Sequence, residues 1–473
     1  MVAPVGALGR HLALVGFMGA GKTAVGREVA RLARRPFLDT DEEIVRRHGP
    51  IPRLFAEQGE AGFRALEEAV VAEALAADEP SVLALGGGAV TAGATRARLA
   101  RRAFSVHLRV EPDEAWARVR GSDRPLARDA SRFRALYEER LPLYRRVAAS
   151  EAGDADGVLL GSLAVEVARG SAASVAARLP GAGRVALVVD ERVHTRHPLA
   201  LAGREVETHS VPPGEKAKRP AVAQRLWRGL TIGRDGAVVA LGGGATTDLA
   251  GFVAATYARG VPWLAVPSTL VGQVDAAIGG KTGIDLPGGK NLVGAFHFPR
   301  SVVVDPDLLA TLPERERRQG MAEVVKTGLL AGRATWELPQ AELVRACAAF
   351  KCAVVLSDPF EEGRRAILNL GHTFAHALEA ASEYRLRHGD AVALGLLAAL
   401  RLSGQPTDVV EEVLRPAPVR VDRERAWAAL GRDKKGVGGE ARLVLLERPG
   451  EPQHGVAVPE HDVRAALDAL IRD

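Results

Sequence analysis

Cysteine, methionine, aromatic residues and lysine are all scarce in this 473-residue chain. The two cysteines, Cys347 and Cys352, stand close together without a metal-type CxxC spacing. They supply no disulfide framework, which points to a reducing compartment, the cytoplasm. Phe, Trp and Tyr make up 4% of the residues, and the net charge of +5 comes from basic residues interleaved with acids. That pattern lacks the stacking platforms and massed charge of a nucleic-acid binder and favours small anionic substrates held in basic clefts. No apolar run reaches bilayer length: Leu394 to Leu400 is far too short. The apolar start, His11 to Phe17, runs directly into a glycine-rich loop and reads as a buried strand rather than a signal peptide.

Only nine of the 63 basic residues are lysine: Lys22, Lys216, Lys218, Lys281, Lys290, Lys326, Lys351, Lys434 and Lys435. None lies on the amphipathic stretches, where exposed positive charge is nearly all arginine. Lysine is a compact point charge whose pKa moves on burial, whereas arginine is a rigid, permanently charged fork. A chain that uses arginine wherever a solvated charge suffices keeps lysine where phosphate, nucleotide or carboxylate chemistry requires it.

The length suggests about three folding units at about 150 residues each. The first, residues 1–160, alternates strands and helices around a parallel sheet, and the polar stretch Ser150 to Gly157 precedes its end. The second, 161–312, is again α/β. The third, 313–473, is mostly helical, with Ala/Leu/Glu/Arg-rich amphipathic windows.

In the first unit, Gly16-Phe-Met-Gly19-Ala20-Gly21-Lys22-Thr23 matches G-x-x-x-x-G-K-[ST] between an apolar strand and a helical stretch. Its backbone N–H groups would wrap a phosphate, Lys22 would neutralise the outer phosphates, and the Thr23 hydroxyl would hold Mg²⁺. A second strand ends at Asp39-Thr40-Asp41, where one acid can serve the Mg²⁺ shell and the other can accept a proton from a substrate hydroxyl. Arg64 and Glu67 share a helix face by i,i+3 spacing, and a third strand runs into Gly86-Gly87-Gly88. Arg124 and Arg140 each stand beside a proline. Read in order, GFMGAGKT, LDTD, FRALE, LALGGG, DRPL and RLPLY resemble shikimate kinase over about residues 10 to 150. The resemblance implies ATP- and Mg²⁺-dependent phosphorylation of shikimate. It carries Mg²⁺ and activation roles to Asp39 and Asp41, with Asp41 also holding substrate hydroxyls. Arg64, Gly87, Gly88 and Arg140 would grip shikimate, and Arg124 would come from a lid over the phosphate. Arg118 and Arg120 both stand as candidates to stack on adenine.

Further on, Val238 to Leu241 leads into Gly242-Gly243-Gly244-Ala-Thr-Thr-Asp248, a glycine turn opening a helix but not the standard dinucleotide fingerprint. A dense block from Gln273 to His297 carries Asp275, Lys281, Asp285, Lys290 and Asn291 at glycine turns. Met321-Ala-Glu323-Val-Val-Lys326 sets Glu and Lys on one helical face. Asn369-Leu-Gly-His372-Thr-Phe-Ala-His376 and Arg387-His388-Gly-Asp add three histidines. Imidazole and carboxylate ligands around an open position suit catalytic Zn²⁺. By spacing alone, His372 and His376, one turn apart, look like two ligands.

PPGE, GGGxxxDLAGF, the GGKTG–GKN segment, TLPERE, AEVVK, LNLGHT, HGDAV and DKK resemble 3-dehydroquinate synthase from about residue 182 to 448. The resemblance replaces the spacing argument: it implies Glu323, His372 and His388 as ligands of Zn²⁺ or Co²⁺ and gives His376 to the substrate. It implies NAD⁺ contacts from Asp190, Glu215, Lys218, Gly243, Gly244, Asp248, Ser268, Thr269 and Thr311, with Lys281 and Lys290 close to both cofactor and substrate. Substrate contacts fall on Asp275, Lys281, Lys290, Asn291, Lys326, Lys351, Arg365, Asn369, His376 and one of Lys434 and Lys435. The implied substrate is 3-deoxy-arabino-heptulosonate 7-phosphate, cyclised with loss of phosphate and without net consumption of NAD⁺. The expected whole is a bifunctional enzyme of aromatic biosynthesis, paired with a second copy through the cyclase unit. The alternatives are a related sugar-phosphate cyclase and a nucleotide-binding regulator with a degenerate cyclase.

Overall fold

Wherever the sequence sets an apolar run ahead of a glycine turn, the computed structural model has a parallel strand whose every residue is buried. The structure describes residues 6–121, 129–179, 181, 183–433 and 440–472. Arg124, Lys434 and Lys435 lie outside the described residues. The chain divides into two compact units, Met1–Ala164 with Cys352–Ser357, and Val165–Lys351 with Asp358–Asp473.

The first unit contains β1 (His11–Val15), α1 (Lys22–Ala33), β2 (Phe37–Asp39), α2 (Thr40–His48), α3 (Ile51–Ala76) and β3 (Val82–Ala84). It continues with α4 (Gly93–Arg102), β4 (Ala103–Leu108), α5 (Pro112–Val119), α6 (Ala130–Val147), β5 (Ser150–Ala152) and α7 (Ala155–Ser162). The sheet runs β2–β3–β1–β4–β5 with all pairings parallel. Parallel strands covered on both faces must be apolar throughout, as HLALV and AFSVHL nearly are. Strand order matters for function here. It sets the carboxyl ends of β2, β3 and β1 side by side, and those ends carry Asp39, the Gly86–Gly88 turn and the phosphate-loop motif.

The second unit holds β6 (Val165–Val167), β7 (Val185–Asp190), α8 (Glu191–His194), β8 (Val206–Val211), α9 (Pro220–Gly229), β9 (Ala237–Gly242) and α10 (Gly244–Thr256). Next come β10 (Trp263–Pro267), the hairpin β11 (Lys281–Leu286) and β12 (Gly289–Phe296), and β13 (Ser301–Val304). Its sheet is parallel in the order β6–β13–β10–β9–β7–β8. The three-residue edge strand β6 opens this unit ahead of the first strand read from sequence, Val185 to Asp190; VEV is too short to carry a periodicity.

Helices α11 (Glu314–Ala331), α12 (Gln340–Ser357), α13 (His372–Ala381), α14 (His388–Leu402), α15 (Arg423–Asp433) and α16 (Glu460–Asp468) follow. The helical reading of this region needs one correction. An antiparallel hairpin, β14 (Glu440–Arg448) and β15 (Glu451–Pro459), stands between α15 and α16. The buried run Leu443 to Leu446 is apolar without alternation, so sequence could not tell a buried strand from a helix there. No helix among the described residues is long and apolar enough to cross a membrane.

Two glycines set the approach of α13 to α14. Gly371 caps α13 at φ 76°, and a Cβ added to Gly395 of α14 would lie 2.0 Å from the Gly371 carbonyl oxygen. The two helices that begin with His372 and His388 are thus held at backbone contact. Gly395→Ala should cost about 1–3 kcal/mol, measured as a lower midpoint in urea unfolding of the second unit.

Candidate active sites

The first site grows from the carboxyl edge of the front sheet. Lys22 Nζ bonds the carbonyls of Gly16 and Phe17 at 2.8 and 3.0 Å, so it lies folded over its own loop. The Thr23 hydroxyl donates to Asp39 Oδ2 at 2.6 Å. Asp39 Oδ1 caps α2 by accepting from the Asp41 and Glu42 N–H groups. Thr23 and Asp39, the pair expected around Mg²⁺, therefore meet across adjacent elements. Arg118 Nη1 donates to the Gly19 carbonyl at 2.9 Å, which sets it rather than Arg120 against the loop.

Arg64 and Glu67 of α3 form an ion pair at 2.5 Å. An ideal Cβ on Gly88 would sit 2.0 Å from Arg64 Nη1, and one on Gly86 would meet Glu67 and Asp41 carboxylate oxygens. The glycine turn thus lets an arginine and two acids converge over the strand end. Burial raises the Glu67 carboxyl above its ordinary range; Arg64 opposes this, and the nearby Asp41 charge adds to it. Arg140 of α6 is buried, and its Nε has no hydrogen-bond partner. Tyr144, one turn later, bonds the Gly87 carbonyl. Glu67, read from sequence only as a partner of Arg64, belongs to this cluster.

In the second unit, β7, β9 and β10 are neighbours, and their carboxyl ends carry Asp190, Gly243 and Gly244, and Ser268 and Thr269. Asp190 caps α8. Ser268 Oγ is buried without a partner. Lys218 is buried and reaches Asp248 Oδ2 at 2.8 Å, Asp285 at 3.8 Å and Asn291. Burial raises the Asp248 carboxyl against the pull of Lys218, and raises Glu215 against Lys218 and Lys290. The structure therefore joins residues sorted by sequence into cofactor and substrate sets. The Thr311 hydroxyl lies 2.6 Å from His197 Nε2.

Asp275, in a helical turn at Gly272–Ala276, lies between two buried lysines. Lys351 bonds its carbonyl at 2.6 Å and also its carboxylate, and Lys326 lies 3.6 Å from Oδ2. Burial alone would raise the carboxyl, but Lys351 and Lys326 hold it down at about 2. Burial lowers the pKa of Lys351 despite Asp275. Arg365 is buried, anchored to the Gly279 and Pro359 carbonyls at 2.9 and 2.6 Å, and keeps an unpartnered Nε. Lys281 pairs with Glu361, which also lies 3.5 Å from Asn369 Nδ2. Lys290 pairs with Glu379 at 2.9 Å.

Glu323, fully buried on α11, is the centre of a three-residue group. Its ligand atoms and those of His372 and His388 all lie within 4.8 Å of one another. His372 Nε2 and His388 Nε2 stand 3.5 and 3.1 Å from Glu323 Oε1. One carboxylate and two imidazoles match the ligand set of a catalytic divalent site with an open position. His376 is outside the group, with its ring 5.5 Å from that of His372 at 85°. The two imidazoles of the group come from the starts of α13 and α14, as the resemblance implies, and not from one helix face as the i,i+4 spacing alone suggested. Lys326 pairs with Glu323 from the same helix.

Family profiles match three segments: shikimate kinase at 18–158, 3-dehydroquinate synthase N-terminal at 208–319, and 3-dehydroquinate synthase C-terminal at 320–435. A 3-dehydroquinate synthase of Salinibacter ruber is 42% identical over 321 residues, covering 60% of this chain and 88% of that protein.

The chain belongs to the 3-dehydroquinate synthase family.

A shikimate kinase domain precedes the 3-dehydroquinate synthase part. The fold is shared with 2-deoxy-scyllo-inosose synthase, 23% identical with a TM-score of 0.59, over 64% of this chain and 96% of the other. It is also shared with 2-epi-5-epi-valiolone synthase from Streptomyces hygroscopicus, 25% identical with a TM-score of 0.57, over 65% and 96%.

Asp285 was noted from sequence without a role, and two other acids of the synthase part, Glu361 and Glu379, were not singled out. Only Glu379 left a signal, since His372, His376 and Glu379 follow i, i+4, i+7 on one helix face. Replacing Asp275 by Asn leaves buried Lys351 without its counter-charge and Lys326 with Glu323 alone, a loss of about 3–5 kcal/mol. Because the carboxyl is depressed, its contribution is full above about pH 4 and fades as pH falls through about 2. The stability gap between wild type and Asp275→Asn, followed by denaturant unfolding, should narrow across that window.

Proposed function

We propose that the chain is a bifunctional enzyme of aromatic biosynthesis. The front unit phosphorylates shikimate with ATP and Mg²⁺. The rear unit converts 3-deoxy-arabino-heptulosonate 7-phosphate to 3-dehydroquinate and phosphate, using NAD⁺ and Zn²⁺ or Co²⁺. The observation that carries the rear assignment is the Glu323–His372–His388 group beside lysines buried around Asp275. The two solved cyclases hold NAD⁺ with Co²⁺ and NAD⁺ with Zn²⁺, and this chain presents a matching donor set.

In the front unit, Lys22 turns from the Gly16 and Phe17 carbonyls onto the nucleotide phosphates, and Thr23 with Asp39 holds Mg²⁺. Asp41 takes the proton of the attacking hydroxyl. Arg64 and Arg140 clamp the substrate carboxylate by bidentate contact, and Arg124, outside the described residues, serves the transferred phosphate by resemblance alone. In the rear unit, NAD⁺ supplies reversible hydride transfer and the divalent cation supplies Lewis acidity at the carbinol. Asp190, Glu215, Lys218, Gly243, Gly244, Asp248, Ser268, Thr269 and Thr311 hold the dinucleotide. Lys281, Lys290, Asn291, Lys326, Lys351, Arg365, Asn369 and His376 bind and orient the substrate, and Asp275 keeps Lys326 and Lys351 in register. The enzyme works in the cytoplasm as a homodimer through the rear unit.

The deciding assay follows ADP with shikimate and ATP, and phosphate release with the heptulosonate phosphate, NAD⁺ and added metal. Turnover of sedoheptulose 7-phosphate in place of the heptulosonate would reassign the rear unit. Lys22→Arg should abolish ADP formation and leave phosphate release intact. Lysine-to-arginine changes at 281, 290, 326 or 351 should do the reverse by at least about tenfold, since a fork does not replace a point charge.

A further inference from the structure

A histidine offers one ring nitrogen to a metal only if the other is held by an acceptor that fixes the tautomer. His372 has its acceptor in the backbone: Nδ1 lies 3.2 Å from the Leu370 carbonyl oxygen. For His388 the group facing Nδ1 is a carboxylate, Glu379 Oε1, at 3.6 Å. That distance is just beyond a hydrogen bond. Glu379 is only 2% exposed and sits on α13, two turns after His372. The same oxygen accepts from Lys290 Nζ at 2.9 Å, and Lys290 lies over the Tyr384 ring. A carboxylate buried this deeply is costly unless its surroundings use its charge. Here the charge is shared between a lysine and the outward nitrogen of His388.

We propose that Glu379 is a positioning residue of the metal centre: it accepts the Nδ1 proton of His388 and turns Nε2 towards Glu323 and His372, while the same carboxylate also pairs with Lys290. This rests on the divalent-metal reading given above. One carboxylate then joins a metal ligand to a lysine of the substrate set. The competing account is that Glu379 serves only as the ion-pair partner of Lys290.

The test uses the full-length chain, stripped by chelation and titrated with Co²⁺ alone, following the visible d–d bands. Glu379→Gln should weaken Co²⁺ binding by about 10- to 100-fold and alter the bands, with NAD⁺ affinity unchanged. Saturating Co²⁺ should restore most of its cyclase turnover. Lys290→Gln should raise KM while leaving Co²⁺ affinity within about threefold of wild type. If Glu379→Gln fails to bind NAD⁺, Glu379→Asp, which withdraws the charge by one methylene, is read in the same way. Wild-type Co²⁺ affinity in a variant that binds NAD⁺ normally overturns the proposal, as does a turnover loss that saturating Co²⁺ leaves in place. Absence of Co²⁺ uptake by the wild-type chain would overturn the metal reading itself.

Discussion

The rear unit is organised around one fully buried carboxylate, Glu323. Burial opposes its ionisation, yet Lys326, His372 and His388 together hold it well below the ordinary range. Such a charge is tolerable only where several cationic or metal partners converge on it. Convergence in turn constrains three helices. α11 must present Glu323 and Lys326 on one face, and α13 and α14 must each begin at the site. Backbone contact at Gly371 and Gly395 lets the last two approach closely enough.

The rest of that unit extends the same electrostatics. Asp275 does for Lys326 and Lys351 what Glu323 does for the histidines, so the lysines face the site as ordered charges. Lys218 links Asp248, Asp285 and Asn291 in the same way. Arginine is used differently. Arg365 and Arg140 are buried with an Nε left over, and their rigid forks are aimed by their surroundings. Exposed arginines instead pair locally, as Arg46 and Arg47 do with Glu43. Lys218, Lys326 and Lys351 are thus buried charges placed by carboxylates, whereas arginines such as Arg46 and Arg47 carry solvated charge.

Much of the fold was legible because its signals are short in range. A strand, a glycine turn and the helix that follows are neighbours in the chain, so the phosphate loop and the Gly242–Gly244 turn could be recognised without tertiary information. The hairpin of β14 and β15 was not legible, since a buried apolar run has no distinguishing period. The edge strand β6 was too short. Within the sites, motif residues were visible but their partners were not. Nothing in the local sequence ties Asp275 to Lys351, Lys281 to Glu361 or Glu379 to Lys290, because each pair joins segments far apart in the chain.

By itself, the sequence determined the local chemistry: which turns bind phosphate, which helix carries Glu and Lys together, and which segments supply histidine. Those are properties of a few adjacent residues and their backbone geometry. Spacing along the chain could not decide which histidine joins Glu323 and His372; the motif resemblance pointed to His388, and the packed structure groups the same three residues. Helical spacing favoured His376, a single turn from His372, yet His376 is not among the residues whose ligand atoms gather around Glu323. His388 enters because packing brings the start of a separate helix against Glu323. A metal needs donors that converge from different directions, and convergence is a property of packed elements rather than of intervals along a chain.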